Sequence, residues 1–294
     1  MRYVVGYQSD ERGVDALALA VAIARAQGAQ LYVILVLGED APYVPADQET
    51  NPQGRRVNPD ERQVRTAQRT VLELVPEDVE VEFHVRQGRS PAAVLIETAI
   101  EVEAALIVVG AASNGLLKRY TVGTVANALL HASPVPVALA PRGYRRSDPI
   151  ERLTAFIGQR PGTDAAVDVA LVAAGRRDVP LRLVSLVQLG ERGDHGEDID
   201  AARRHANAVL ADAVQRLPRG HEARVEVVHG RTFEEAVDSI DWLAGELVII
   251  GSSRLAQKRR LFLGSIANKV LRVLPVPLVV VPLEYERAES HPLG

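Results

Sequence analysis

One stretch decides the fold because the chain carries it twice. It runs Leu247-Val-Ile-Ile-Gly251, Ser252-Ser253-Arg254, a basic run ending at Leu263, Gly264-Ser265-Ile266-Ala267-Asn268-Lys269-Val270-Leu271, and Pro275-Val-Pro-Leu-Val-Val-Val281. The earlier copy, 141 positions upstream, reads Leu106-Ile-Val-Val-Gly110, Ala111-Ala112-Ser113, a basic run to Val122, Gly123-Thr124-Val125-Ala126-Asn127, and Pro134-Val-Pro-Val-Ala-Leu139. The copies align without a gap. A run of β-branched and aliphatic residues ending in glycine reads as a buried parallel strand entering a tight turn, where the missing Cβ lets backbone approach a ligand. Gly-Thr and Gly-Ser then open an apolar-periodic helix, where free N–H groups and the positive end of the helix dipole favour an anion. Thr124 and Ser265 are read as hydroxyl N-caps, either beside a bound phosphate or as ordinary caps. Lys118 and Arg119, and Lys258, Arg259 and Arg260, add positive charge nearby or form a solvated loop.

Both copies resemble the C-terminal half of a universal stress protein domain. Nucleotide-binding members of that family carry Gly, two residues, Gly, nine residues, then Gly-Ser or Gly-Thr. Gly110 with Gly123-Thr124, and Gly251 with Gly264-Ser265, match at the family spacing, while Ser113 and Arg254 stand where the second glycine belongs. The resemblance extends over nearly the whole chain as two tandem domains. It implies an α/β fold of two doubly wound, Rossmann-like domains, each an open five-stranded parallel sheet flanked by helices.

The chain in order supports that division. Tyr3–Gly6 reads as a strand, Gln8–Gly13 as a turn, Asp15–Gln27 as an Ala-rich helix stopped by Gly28, and Leu31–Leu37 as a second strand. A polar, proline-bearing loop spans 38–58, a charged helix Pro59–Leu74, and a strand Val79–Val85. Ser90 then caps a helix with Pro91 at its first position. The second half repeats this order from Leu153, and His229-Gly-Arg-Thr232 stands opposite Gln87-Gly-Arg-Ser90. We expect domains at 1–141 and 152–284, a linker at 142–151 and a tail at 285–294. The last strands, Val135–Leu139 and Leu278–Val281, are wholly apolar and would be exposed edges in an open sheet. They are therefore expected to pair within the chain, or between two chains as a homodimer, as family members commonly do.

With 294 residues, 47% hydrophobic and 24% charged, there is ample length for two cores of roughly 140 residues. A formal charge of −4 gives no domain-wide positive field, so neither nucleic acid nor an anionic membrane is expected as partner. No apolar run approaches the ~18 residues of a membrane span, and the start at Met1 lacks signal-peptide character, so a cytoplasmic location is expected. Cysteine is absent, which excludes disulfides and thiolate chemistry. The scattered histidines have no metal-ligand spacing, and no Gly-Lys-Ser/Thr string marks a P-loop.

The resemblance implies an adenine nucleotide of the ATP type as cofactor, with Mg²⁺ alongside it. By motif position the cofactor contacts would come from Gln8, Val36, Gly110, Ser113, Gly123, Thr124 and Val125 in the first half, and from Gly251, Arg254, Gly264, Ser265 and Ile266 in the second. ATP-holding members use an aspartate just after the first strand. Gln8 fills that place here and Gln159 is read as its counterpart, so both halves lack the carboxylate that would accept from a ribose hydroxyl. Ser113 adds two heavy atoms to the glycine position and Arg254 adds seven, so the first half is expected to take nucleotide better. Ser113 has no histidine or acid placed to serve it, so no catalytic set is identified and slow ATP hydrolysis is the most activity expected. The alternative reading is a pseudo-dimeric scaffold of the same fold that binds no nucleotide.

Overall fold

The computed structural model describes residues 1–38, 59–111, 123–157, 163–189, 195–252, 273–283 and 285. The loop read at 38–58 and the basic runs after both strand glycines lie almost wholly outside that set. The first half runs β1 (Arg2–Tyr7), α1 (Glu11–Gln27), β2 (Gln30–Leu37), α2 (Pro59–Leu74), β3 (Val81–Gln87), α3 (Pro91–Glu101), β4 (Leu106–Gly110), α4 (Thr124–Ala132) and β5 (Val137–Ala140). The second half gives β6 (Arg152–Ile157), α5 (Thr163–Arg177), β7 (Leu181–Gln188), α6 (His195–Arg216), β8 (Ala223–Gly230), α7 (Phe233–Asp238), β9 (Glu246–Gly251) and β10 (Leu278–Val281). None of these helices is long and apolar enough to cross a membrane.

All ten strands form one sheet in the order β3-β2-β1-β4-β5-β10-β9-β6-β7-β8. Each half is five parallel strands, and the halves join where β5 meets β10 antiparallel, Leu278 against Leu139 and Val280 against Val137. Each last strand thereby covers the other's open edge, as the apolar composition demands. The seam also makes β10 an interior strand, since β9 pairs with its other side. One continuous core lies beneath α1, α2, α5 and α6, and the opposite face packs α3, α4 and α7.

Local chemistry sets the helix boundaries. Asp10 caps α1 by accepting from the N–H groups of Arg12 (3.0 Å) and Gly13 (3.1 Å), so the helix begins four residues before its apolar period does. Gly13, read as a turn residue, is thus helical. A Cβ there would run into the Gln8 carbonyl, and this close approach is what requires glycine. Ser90 and Thr232 cap α3 and α7 through the N–H groups of Ala93 and Glu235, as the repeated Gly-Arg-Ser/Thr string predicts.

Strand pairing fixes how the halves correspond. Tyr3 pairs with Leu106 and with Leu31, while Leu153 pairs with Leu247 and with Leu181, so the first strand and helix repeat at a spacing of 150. The left-handed residue after each helix agrees, Gly28 at φ 64° and Asp178 at φ 54°. This spacing puts Gly158, not Gln159, opposite Gln8. It also puts Phe156 opposite Gly6.

The interval between the halves is docked rather than free. Tyr144 is buried, the fully buried Asp15 of α1 accepts from the Gly143 N–H (3.0 Å) and pairs with Arg145, and Arg25 donates to the Ser147 carbonyl (2.8 Å). The second half also holds a buried ionic cluster. Glu246, fully buried, takes Arg152 (2.5 Å), Arg182, the Thr154 hydroxyl and the Leu243 N–H (3.0 Å). Arg182, itself 1% exposed, also reaches Glu226 (3.1 Å) and lies 5.2 Å from the Trp242 ring centroid. Burial alone would raise the Glu246 carboxyl; the hydrogen bonds from Arg152, Thr154 and Leu243 and the charge of Arg182 outweigh it and hold the group below its ordinary value.

Candidate functional site

A cavity of about 200 Å³ opens beyond the C-terminal ends of β1, β2 and β4 in the first half. This is the crevice where open parallel sheets place ligands, at the point where the strand order reverses from β1 to β4. Six sequence-predicted residues line it together: Gln8, Val36, Gly110, Gly123, Thr124 and Val125. Gln8 follows β1 and is exposed; Val36 is half-buried near the end of β2. Gly251 ends β9 beside Val281, while Ser113, Arg254, Gly264, Ser265 and Ile266 lie outside the described residues.

The helix end that faces the cavity differs from its reading in sequence. The N-cap of α4 is Gly123, in extended conformation (φ −69°, ψ 167°), and Thr124 is the first helical residue. Among the described residues no side chain caps this helix. The other described N-caps, Asp10, Ser90 and Thr232, each accept a backbone N–H through their side chains. The first turn of α4 therefore presents uncapped N–H groups and the positive end of its dipole to the cavity. Thr124 is exposed and leaves that terminus open rather than filling it.

Gly110 lines the cavity, yet its missing Cβ serves a different contact. A Cβ there would strike the Arg12 carbonyl, so the glycine lets the first turn of α1 seat against the end of β4. Gly6 does what Gly110 was expected to do. A Cβ at Gly6 would point into the cavity and meet Leu95 Cδ1 at 2.8 Å and Val109 Cγ1 at 3.0 Å. The cavity floor over β1 thus exists because that strand position carries no side chain.

Residues missed in sequence complete the rim. Arg12 stands at the mouth, its guanidinium held by Asp10 at 2.9 and 2.6 Å, so one aspartate both caps α1 and fixes a cation beside the opening. Tyr7 is buried on the wall, and burial, then the Asp10 charge, raises its phenol above the ordinary value. Asp10 at a helix start was available in sequence as a signal; the reading of Gln8–Gly13 as a turn hid it.

The matching face of the second half carries a bulky side chain at the described residues. Phe156, at the Gly6 position, packs with Leu186 against Val184, Val228, Ala236 and Ile240, and its ring centroid lies 6.5 Å from that of Trp242. Leu186 and Val184 are the counterparts of Val36 and Ile34, both of which line the first-half cavity.

Comparison with known proteins agrees with this architecture. The profile of the universal stress protein family matches twice, over residues 1–141 and 150–282. A universal stress protein of Mycobacterium tuberculosis is 32% identical over 302 aligned positions, covering 96% of this chain and all of that protein. The crystal structure of a universal stress protein from Archaeoglobus fulgidus superposes with a TM-score of 0.64 at 15% identity, over 96% of this chain and 98% of that one. A shorter protein of the same organism, solved in complex with dAMP, covers 48% of this chain and 97% of its own, with a TM-score of 0.35 and 22% identity. With the family matched in both halves and a full-length relative at this identity, the chain belongs to the universal stress protein family, as a tandem member with a Rossmann-like α/β fold.

Proposed function

We propose that this chain binds one adenine nucleotide of the ATP type in its first half, and that the second half serves as a scaffold which completes the sheet. The observation that carries the reading is the uncapped N-terminus of α4 at Gly123 facing a cavity over Gly6. In this reading the phosphates lie on the N–H groups of Thr124 and Val125. The base and ribose take the space over Gly6, between Leu95, Val36 and Gln8. Arg12 adds charge at the mouth. Gln8 supplies an amide in place of a carboxylate, so it both donates and accepts toward the ribose or the base.

The described lining of the cavity contains no carboxylate. A Mg²⁺ ion would therefore be held chiefly by the phosphates and water, the usual arrangement for this cation. What favours the scaffold reading in the second half is Phe156, a bulky ring packed against Val184, Val228, Ala236 and Ile240 at the strand position where the first half has Gly6. In this proposal Ser113 keeps the cofactor contact assigned to it by motif position, whereas Gly251, Arg254, Gly264, Ser265 and Ile266, in the half read as scaffold, hold no nucleotide.

Mass spectrometry of the denatured, purified chain tests the reading at its base, since a bound nucleotide would be released at one per chain. Calorimetric titration with ATP and with GTP then separates base recognition from phosphate recognition. A chain that releases no nucleotide and gives no heat with ATP leaves the scaffold reading for both halves.

A further inference from the structure

We propose that a second cavity, between the two halves, binds a small uncharged apolar molecule, about the size of benzene. It lies under α1 and α5 near the starts of β1, β4, β6 and β9, at the opposite end of the strands from the nucleotide site, and the inference does not depend on that site. Its volume is about 130 Å³. An apolar cavity of roughly 150 Å³ in another protein stays dry and takes benzene or xenon, so the size is sufficient.

The wall decides the class of ligand. Tyr3, Ile23 and Leu106 come from the first half, and Leu153, Val169 and Val279 from the second. Two of the polar side chains beside them are committed elsewhere. The Gln27 amide donates to the Ala173 carbonyl at 2.9 Å, bridging α1 to α5, and the Asp168 carboxylate accepts from Arg216 at 2.6 Å. A charged or strongly polar guest would surrender its hydration without replacement. An apolar guest regains dispersion contact with walls that otherwise face a void. Val172, 46% exposed, and Met1, 36% exposed, lie at the rim, so the cavity has a way in from solvent.

A guest here touches both halves at once, next to the β5–β10 seam. It would therefore stabilise their docking as well as fill space.

The test is a titration of the full chain, methyl-labelled at Ile, Leu and Val, with benzene. Saturable shifts are expected on the methyls of Ile23, Leu106, Val169 and Val279. The melting temperature should rise by about 2 °C when benzene stands at tenfold its Kd. Ala173→Phe, which pushes a ring into the void, should abolish both effects while the remaining methyl spectrum stays native. Should that variant fail to fold, Ala26→Leu on the facing helix takes its place. Absence of saturable shifts in the unmodified chain, or shifts confined to exposed methyls such as those of Ile100, overturns the proposal. So does a folded filled variant that still binds benzene.

Discussion

Replacing Gly6 with phenylalanine would copy into the first half the residue that the second half carries at the same strand position. The geometry sets the cost. A Cβ alone meets Leu95 Cδ1 at 2.8 Å and Val109 Cγ1 at 3.0 Å, and the ring beyond it has only the cavity to enter. Forcing extra side-chain volume into a packed space costs about 1–3 kcal/mol. The unliganded variant avoids much of that by placing the ring in the cavity, whereas the nucleotide-bound variant cannot. The difference falls on binding, and at 1.4 kcal/mol per decade it corresponds to roughly 5- to 150-fold weaker ATP affinity. The assay is calorimetric titration of the unmodified chain, Gly6→Phe and Phe156→Ala, with urea unfolding of each in parallel. Phe156→Ala should lose about 3 kcal/mol of stability, the lower end for a phenylalanine because the ring is half-buried, and leave ATP affinity unchanged. A folded Gly6→Phe chain that binds ATP within twofold of the original refutes the placement of the base over Gly6.

Further outcomes follow from the same geometry. Gly123→Asp adds the missing cap of α4, so helix stability should hold or rise by a few tenths of a kcal/mol, while ATP affinity falls at least tenfold because a carboxylate takes the N–H groups meant for phosphate; thermal melts and titration read the two signs separately. Glu246→Ala leaves Arg182 buried without its main partner and should cost about 3–5 kcal/mol in urea unfolding. With Glu246 in place its carboxyl is depressed in the folded chain, so its contribution is present above the ordinary 4.5 and is lost as pH falls through the folded value; urea midpoints should drop on acidification below that point, less steeply in the variant. Burial above all, opposed by the Arg146 charge and assisted by those of Asp148 and Glu151, raises Tyr144 to about 12, so it stabilises fully below pH 10 and loses that contribution between pH 10 and 12; Tyr144→Phe should remove about 2–3 kcal/mol of alkaline destabilisation in denaturant titrations. Asp15→Ala frees the Gly143 N–H and should cost about 1–3 kcal/mol, with faster amide exchange at Gly143 as the local readout.

Most of the fold was legible because it rests on periodicity and repetition. Apolar runs ending in Gly110 and Gly251, the caps Ser90 and Thr232, and the edge character of Val137–Ala140 and Leu278–Val281 all follow from local chemistry. The site was legible only in part. Gly110 and Gly6 are both glycines at the ends of apolar strands, and sequence cannot say which missing Cβ faces helix α1 and which faces a cavity. Thr124 looks like a cap, but the turn of backbone into α4 sets the cap one residue earlier, at Gly123. Aligning the turns after the two first strands pairs Gln159 with Gln8, whereas counting from Leu31 and Leu181, or from Gly28 and Asp178, gives Gly158 and exposes Phe156. Arg182 and Glu246 sit in runs that read as ordinary strands, and only tertiary contact shows that they neutralise each other.

The last strands show why local reading misjudges what a substitution would do. Seen as an edge, Val279 and Val280 invite lysine substitution as a means of loosening the halves. In the folded chain β10 is paired on both sides, Val279 packs into the core beneath α1 and α5, and Val280 packs into the core on the opposite face. Lysine at either position buries an ammonium group rather than repelling an edge, so the expected result is unfolding of both cores. The seam that joins the halves is thus also what makes each of them whole. A duplicated domain that lends its partner an inner strand remains under selection for packing even where its own cleft is filled. Under that constraint Phe156 is compatible with an intact fold, while Gly6, which weakens its strand by offering no side chain to pack, is accounted for by the close approach of Leu95 and Val109.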